Sequence, residues 1–265
     1  MGSMREAAKE LVKTVAYGAL DVITRHRGLR RTVSGEAIIF PVRWSRYYPR
    51  VYEPEKFSFI RKHCRPGMTA VDIGAHIGLF SVFMSKLVGQ SGRVLSFEPT
   101  PLTRRVLTET VRLNHCEANV EIHCEAVSRA TGTATFFDTG APLSNANSLV
   151  GTVAASTGLE VPTISLDDLC RDQKLRVGFL KIDAEGGELE ILEGARETLR
   201  RDRPFVQLEI HPRPLARHPG ALAAVWQLCA DVGMRIEQEG KVLSHSHFTQ
   251  LDEAVELQLV PLAGT

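Results

Sequence analysis

Val71-Asp72-Ile73-Gly74-Ala75-His76-Ile77-Gly78-Leu79-Phe80 decides the fold. An apolar run ends in glycine, and a second apolar run at helical spacing begins a few residues on. This pattern reads as a buried strand, Met68 to Ile73, a tight turn, and a helix from Ile77 to Val88. Gly74 permits the turn, and Gly78 would let backbone and ligand come close. A glycine-bearing turn between a strand and a helix suits a nucleotide-like ligand.

Outward from that turn, strands and helices alternate. Further strands are expected at Arg93 to Phe97, Val120 to Cys124, Val177 to Ile182 and Phe205 to Ile210, with helices at Leu102 to Asn114, Glu188 to Leu199 and Ala221 to Val232. Met234 to Glu237 and Val255 to Val260 read as final strands. The alternation predicts an α/β, Rossmann-like fold: a doubly wound, mostly parallel sheet with helices on both faces. Upstream lie a strand at Glu36 to Val42, an aromatic loop from Trp44 to Pro54 and a helix from Glu55 to His63. Residues 4 to 25 read as an amphipathic helix, an N-terminal extension followed by Arg25, His26, Arg27, Arg30 and Arg31. A membrane-surface or anionic-ligand patch is one reading of that cluster. The reading adopted packs the helix on the domain and leaves the basic end in solvent. Residues 1–50 are taken as an extension and 51–265 as the main domain. Thr133 to Phe137 breaks the rhythm with a strand, and the Gly-, Pro-, Ser- and Asn-rich loop Asp138 to Ser148 follows it.

Composition narrows the function classes. Across 265 residues, 32 Lys and Arg face 31 Asp and Glu, so the basic excess expected of a nucleic-acid binder is missing. No apolar run reaches membrane-span length, and no signal peptide is expected, which points to the cytoplasm. Five cysteines without CxxC spacing fit reduced, buried thiols better than a disulfide framework or a zinc site.

The chemistry concentrates at strand ends. A dinucleotide fingerprint needs a third glycine that this turn lacks. Asp72 would set a carboxylate at the mouth of the loop, which opposes a pyrophosphate and suits the sulfonium and ammonium of S-adenosylmethionine (SAM). Glu98, in Ser96-Phe97-Glu98-Pro99, ends the next strand and would accept both hydroxyls of a ribose. Pro99 is read as the first residue of the next helix. Glu125 and Ala126 follow the third strand, where an adenine would lie. In Leu180-Lys181-Ile182-Asp183-Ala184-Glu185-Gly186-Gly187-Glu188, Asp183 and Glu185 are candidate site residues at the sheet's carboxyl edge. Glu188 is read only as a favourable charge at a helix N-terminus. In Leu208-Glu209-Ile210-His211, Glu209 and His211 share one side of the next strand end, and histidine suits proton transfer near neutrality.

The segments "VDIGAHIGLFS", "FEPTP", "VRLN", "EAVS", "TISLDDL", "LKIDAEGGELEIL" and "LEIH", in that order, resemble the FkbM family of SAM-dependent methyltransferases across roughly residues 50 to 212. The chain departs from the family at His76 and Thr100, where the family often has Asn. The resemblance implies a class I methyltransferase fold and O-methylation, often of sugar or polyketide hydroxyls. It implies that Asp72, Gly74, Gly78 and Glu98 bind SAM and that Asp183, Glu209 and His211 lie near the transferred methyl. Ala75 and His76 belong to the same cofactor loop. The expectation is therefore transfer of a methyl group to a hydroxyl of a small molecule, with His211 or Asp183 as base. Asp183 and Glu209 together would also suit Mg²⁺, but the adopted reading assigns no metal site. The rivals are an NAD-dependent oxidoreductase, which the missing glycine opposes, and a non-catalytic SAM-binding module, which the set of acidic strand ends opposes. Ser45 to Tyr52, Asp138 to Ser148 and the tail are the expected acceptor-contacting segments.

Overall fold

The structure is a computed structural model that describes residues 15–138 and 157–262. In chain order a helix, α1 (15–23), precedes a hairpin of β1 (Leu29–Val33) and β2 (Glu36–Phe40). The α/β unit then runs α2 (Pro54–His63), β3 (Thr69–Ile73), α3 (Leu79–Val88), β4 (Arg93–Phe97), α4 (Pro101–Leu113) and β5 (Val120–His123). Next come β6 (Ala126–Val127), β7 (Gly132–Asp138), β8 (Thr157–Ile164) and α5 (Leu166–Asp172). The second half holds β9 (Val177–Ile182), α6 (Glu188–Glu193), α7 (Arg196–Asp202), β10 (Phe205–Ile210), α8 (Pro212–Leu215) and α9 (Ala221–Asp231). It closes with β11 (Met234–Gln238), β12 (Lys241–Val242), α10 (His245–Phe248) and β13 (Val255–Pro261).

The main sheet has eight strands in the order β12-β11-β13-β10-β9-β3-β4-β5. Strands β5, β4, β3, β9 and β10 are parallel, and β13 enters antiparallel between β10 and β11. The expected doubly wound sheet is therefore present, with β13 and the short edge strand β12 reversed and β11 running with the parallel strands. The parallel strands are apolar on both faces because helices cover both. Val71, Leu95, Leu180 and Leu208 face one buried cluster together with α6, α7 and α9. Ala70, Val94 and Phe179 face a second with α2, α3 and α4. Strand order reverses between β3 and β9, so the loops leaving them diverge and open a crevice at the carboxyl edge.

Several local expectations are corrected. Helix α4 begins at Pro101 rather than Pro99, with Thr100 as its cap, so Pro101 takes the N1 place. The single helix expected from Glu188 to Leu199 is two, interrupted at Gly194, where a Cβ would stand 2.1 Å from the Ser128 carbonyl oxygen. Strand β1 takes in Arg30 and Arg31 of the basic cluster, and all five cluster residues are exposed, as the adopted reading expects. Its partner β2 buries Ile38 and Phe40 in the α2–α3–α4 cluster, and Asn114 brackets the Ile39 backbone from α4. The apolar stripe of α1 is not its contact face: Val15, Val22 and Ile23 are 64%, 67% and 74% exposed, while Tyr17, Leu20 and Thr24 are half-buried. Four cysteines are buried and unpaired as expected, but Cys124 is exposed beyond the end of β5. A small sheet, β6-β8-β7, stands beside the main one and adds Ala126, Val127 and Phe136 to the crevice wall. The tip between β7 and β8, which contains most of the Asp138 to Ser148 loop, lies outside the described residues.

Candidate functional site

The crevice is a cleft enclosing about 920 Å³ including its open mouth. Its floor is the turn after β3. Gly74 and Ala75 both donate backbone N–H bonds to the Phe97 carbonyl, at 3.1 and 3.0 Å. Gly74 has φ +75°, and a Cβ on it would lie 1.9 Å from the carbonyl oxygen of Asp183. Only glycine allows β3 and β9 to release their loops this close together.

Glu98 lines the cleft one strand away. One carboxylate oxygen accepts from the His76 N–H at 3.0 Å and the other from the Thr100 N–H at 2.9 Å. The carboxylate thus ties the turn after β3 to the turn after β4, and the Thr100 side chain adds a further hydrogen bond to it. Burial pushes its pKa up, against the pull of the Thr100 and His76 donors. Glu125 and Ala126 lie on the same wall, past β5.

The carboxyl ends of β9 and β10 make the opposite wall. Asp183 and Glu185 line the cleft; Glu209 and His211 stand behind them. His211 Nδ1 lies 2.8 Å from Glu188, and Nε2 lies 3.5 Å from Glu185 and 3.7 Å from Glu209. Burial lowers the imidazole pKa, but the Glu188 hydrogen bond and charge outweigh it, aided by Glu185 and Asp183, and raise it to about 9. Glu185 moves the other way in charge: burial raises its pKa to about 7, with Asp183 and Glu209 adding to the rise against the pull of His211. Asp183 is ionised. Burial would raise its pKa, but Lys181 and Lys56 bring it below the usual carboxylate range. Asp183, Glu209 and His211 each offer an atom within 4.8 Å of the others, a spacing a cation could bridge.

Three assignments change. Asp72 is fully buried within β3 and does not line the cleft. It accepts from Ser81 at 2.6 Å and lies 3.3 Å from Lys181, so it anchors the sheet beneath the loop. A strand residue pointing into a helix-covered face cannot also reach the loop mouth. Gly78 is also absent from the lining. Its φ is +92°, and a Cβ there would stand only 2.8 Å from Leu107, so it is the residue that lets α3 pack on α4. Glu188 is no mere dipole partner: it is fully buried, bonds His211 and accepts from the Gly186 N–H.

Lys181 and Lys56 have no role assigned from the sequence, whereas Tyr48 and Tyr52 fall in the expected acceptor-contacting segment. Lys181 lines the cleft, donates to the Gly74 carbonyl at 2.9 Å and stands 3.6 Å from Asp183. A lone charge inside the apolar strand Val177–Ile182 was its available signal. Tyr48 and Tyr52 come from the aromatic loop and line the cleft beside His76, Tyr48 Oη lying 3.2 Å from its Nδ1. Hence the Ser45 to Tyr52 segment does reach the cleft.

Comparison with known proteins converges on one family. The model of the methyltransferase FkbM domain matches residues 72–236. The methyltransferase sdnD of Sordaria araneosa is 32% identical over 157 residues, covering 48% of this chain and 60% of that protein. The methyltransferase FkbM structure from Methylobacillus flagellatus KT superposes with a TM-score of 0.50 at 16% identity, over 78% of this chain and 51% of that one. The chain thus spans less than two thirds of the length of either relative.

Proposed function

The chain belongs to the methyltransferase FkbM family and has the Rossmann-like class I methyltransferase fold, and from that premise we propose that it is a SAM-dependent O-methyltransferase acting on a hydroxyl of a small molecule, of the sugar, polyketide or glycolipid kind. The observation that carries the reading is Glu98, a carboxylate that lines the cleft and is fixed by two backbone N–H groups, one strand from a glycine turn that admits no side chain.

The residues fit the cofactor. Glu98, Glu125, Asp183 and Glu185 make a predominantly acidic lining, with Lys181 bound to the Gly74 carbonyl and Asp183. Such a lining favours a sulfonium and an ammonium over a pyrophosphate, which also weighs against an NAD-dependent reading. Glu98 would accept the ribose hydroxyls, Ala126 and Glu125 would flank the adenine, and Ala75 and His76 would cover the turn. SAM, when bound, would supply the methyl group as an electrophile.

The chain's own task is alignment, exclusion of water and removal of one proton. Tyr48, Tyr52, Phe80 and Phe136 give the cleft an apolar side. The acceptor hydroxyl must lose its proton as its oxygen bonds to carbon. His211, the first choice from sequence, is charged near neutrality and stands behind the lining. Asp183 faces the cleft but is a weak base because of its lysine neighbours. Glu185 faces the cleft with a pKa of about 7, near the optimum for a general base. The reading therefore gives Glu185 the acceptor's proton, with His211 stabilising the carboxylate beforehand. No metal is assigned.

Calorimetry with SAM, S-adenosylhomocysteine and NAD tests the premise. Binding of the first two and not of NAD is expected. NAD binding without SAM binding would sink it; SAM binding with no turnover across a hydroxyl-acceptor library would leave a binding module instead.

A further inference from the structure

Helix α2 buries a lysine. Lys56 is 1% exposed, and its ammonium lies 2.6 Å from Glu53, 3.0 Å from Glu209 and 2.5 Å from Glu256. A buried ammonium is expensive unless it is paired, and here three carboxylates surround it. Two of them arise from the strand register: Glu209 of β10 is directly opposite Glu256 of β13. Like charges facing each other across antiparallel strands repel, so a positive group between them stabilises this register. Lys56 fills that place from a different element, and Gln207 donates to the far oxygen of Glu256 at 2.5 Å.

The consequence lies on the other side of Glu209. Lys56 holds its Oε2, which leaves Oε1 turned toward His211 Nε2 at 3.7 Å. We propose that Lys56, opposed by Glu256, is a positioning residue that fixes the place of Glu209, and through Glu209 the surroundings of the His211 imidazole. The proposal rests on the proton-transfer reading above, and it deepens that reading by naming what holds the rear of the site. His211 is faced by Glu188 from α6, by Asp183 and Glu185 from the loop after β9, and by Glu209 on its own strand. Glu209 is faced by Lys56, Glu256 and His211. Burial raises the pKa of Glu256 to about 8, Lys56 opposing and Glu209 adding to the rise. Glu256 therefore keeps a share of its proton near neutrality, which together with Lys56 relieves its opposition to Glu209.

The test is an NMR titration of His211 in folded wild type, Lys56→Met and Glu256→Gln, with single-turnover rates beside it. Loss of the ammonium should raise the His211 pKa by roughly half a unit or more, and loss of the opposing carboxylate should lower it. The alkaline limb of the rate profile, where His211 loses the proton that supports the Glu185 carboxylate, should move with the His211 pKa in each variant. In Lys56→Met the rate should fall about tenfold or more while SAM affinity stays within about twofold, and Lys56→Arg should recover part of the loss. An unmoved titration in both variants, or an unchanged rate per folded Lys56→Met molecule, overturns the proposal and leaves Lys56 a stability residue. If Lys56→Met does not fold, the downward shift in Glu256→Gln decides alone. If the wild type transfers no methyl group, the reading above fails while the titration still judges this one.

Discussion

The two walls of the cleft are both acidic but are held in different ways. On the Glu98 wall the backbone does the holding: two N–H groups within 22 residues of the carboxylate fix it, and a glycine keeps the neighbouring turn tight. On the wall of Asp183, Glu185, Glu209 and His211, side chains do it. Glu188 comes from α6, Lys56 from α2 and Glu256 from β13. Backbone donors carry fixed partial charges and do not titrate. Side-chain partners do, so each carboxylate there shifts its neighbours' protons. The first wall suits a task that needs constant geometry, the second a task that moves a proton.

The largest expected effect lies on the titrating wall. Glu185→Gln should lower the single-turnover rate by ~10²–10⁴-fold with SAM affinity nearly unchanged. His211→Ala, Asp183→Asn and Glu209→Gln should fall between that variant and wild type. Full activity in Glu185→Gln would return the base to His211 or Asp183. Running the panel with EDTA and then Mg²⁺ sharpens the contrast. Activity abolished by EDTA and restored by Mg²⁺ would recast Asp183, Glu209 and His211 as ligands.

The backbone-held wall should break through its glycine. Gly74→Ala puts a methyl against a carbonyl oxygen at positive φ, with an expected cost of ~3 kcal/mol or more in thermal or urea unfolding. Gly78→Ala meets the end of the Leu107 side chain instead, which can move, and should cost about 1–2 kcal/mol. Equal costs would mean that Gly74 is not where the two strands constrain each other. Next in size, Glu98→Ala should weaken SAM binding by about 1–3 kcal/mol in a protein that still folds. Unchanged affinity would remove Glu98 from the ribose site.

The same contrast explains what was legible beforehand. Strands Val177–Ile182 and Phe205–Ile210 match their expected bounds because short, mostly apolar runs in a regular strand–helix alternation mark buried strands even with a polar residue inside. Glu98 and Gly74 were readable because turn, strand end and carboxylate are close in sequence. Asp72 was misplaced because adjacency to a loop says nothing about which face a strand residue takes; its neighbours Ser81 and Lys181 settle that. Lys56 and Glu256 were invisible because they meet Glu209 only through the packing of α2 on β10 and the pairing of β10 with β13. Glu188 was read by its helix position, and its real partner, His211, is 23 residues away. Long-range pairing of charges leaves no local pattern.

The smallest effect is on stability against pH, and its sign follows from the direction of the shifts. His211 is raised from 6.5 to about 9, so the stability it contributes is whole below pH 6.5 and lost as pH rises through 9. Glu185 and Glu256 are raised from 4.5 to about 7 and about 8; each contributes most below pH 4.5 and loses that contribution as pH climbs through those values. All three therefore act in one direction across the neutral range. Asp183 and Asp202 are lowered, so theirs is present above the ordinary carboxylate pKa and is lost only in acid. Stability should then fall from pH 6 to pH 9.5, by about 1–2 kcal/mol, and urea melts at fixed temperature will read it. The double variant Glu185→Gln/Glu256→Gln keeps shape while removing two of the three titrations, so its stability should fall less over the same interval. A slope equal to that of wild type would mean that the β9–β10 wall does not carry the pH dependence, and the distinction between a backbone-held and a side-chain-held wall would lose its energetic content.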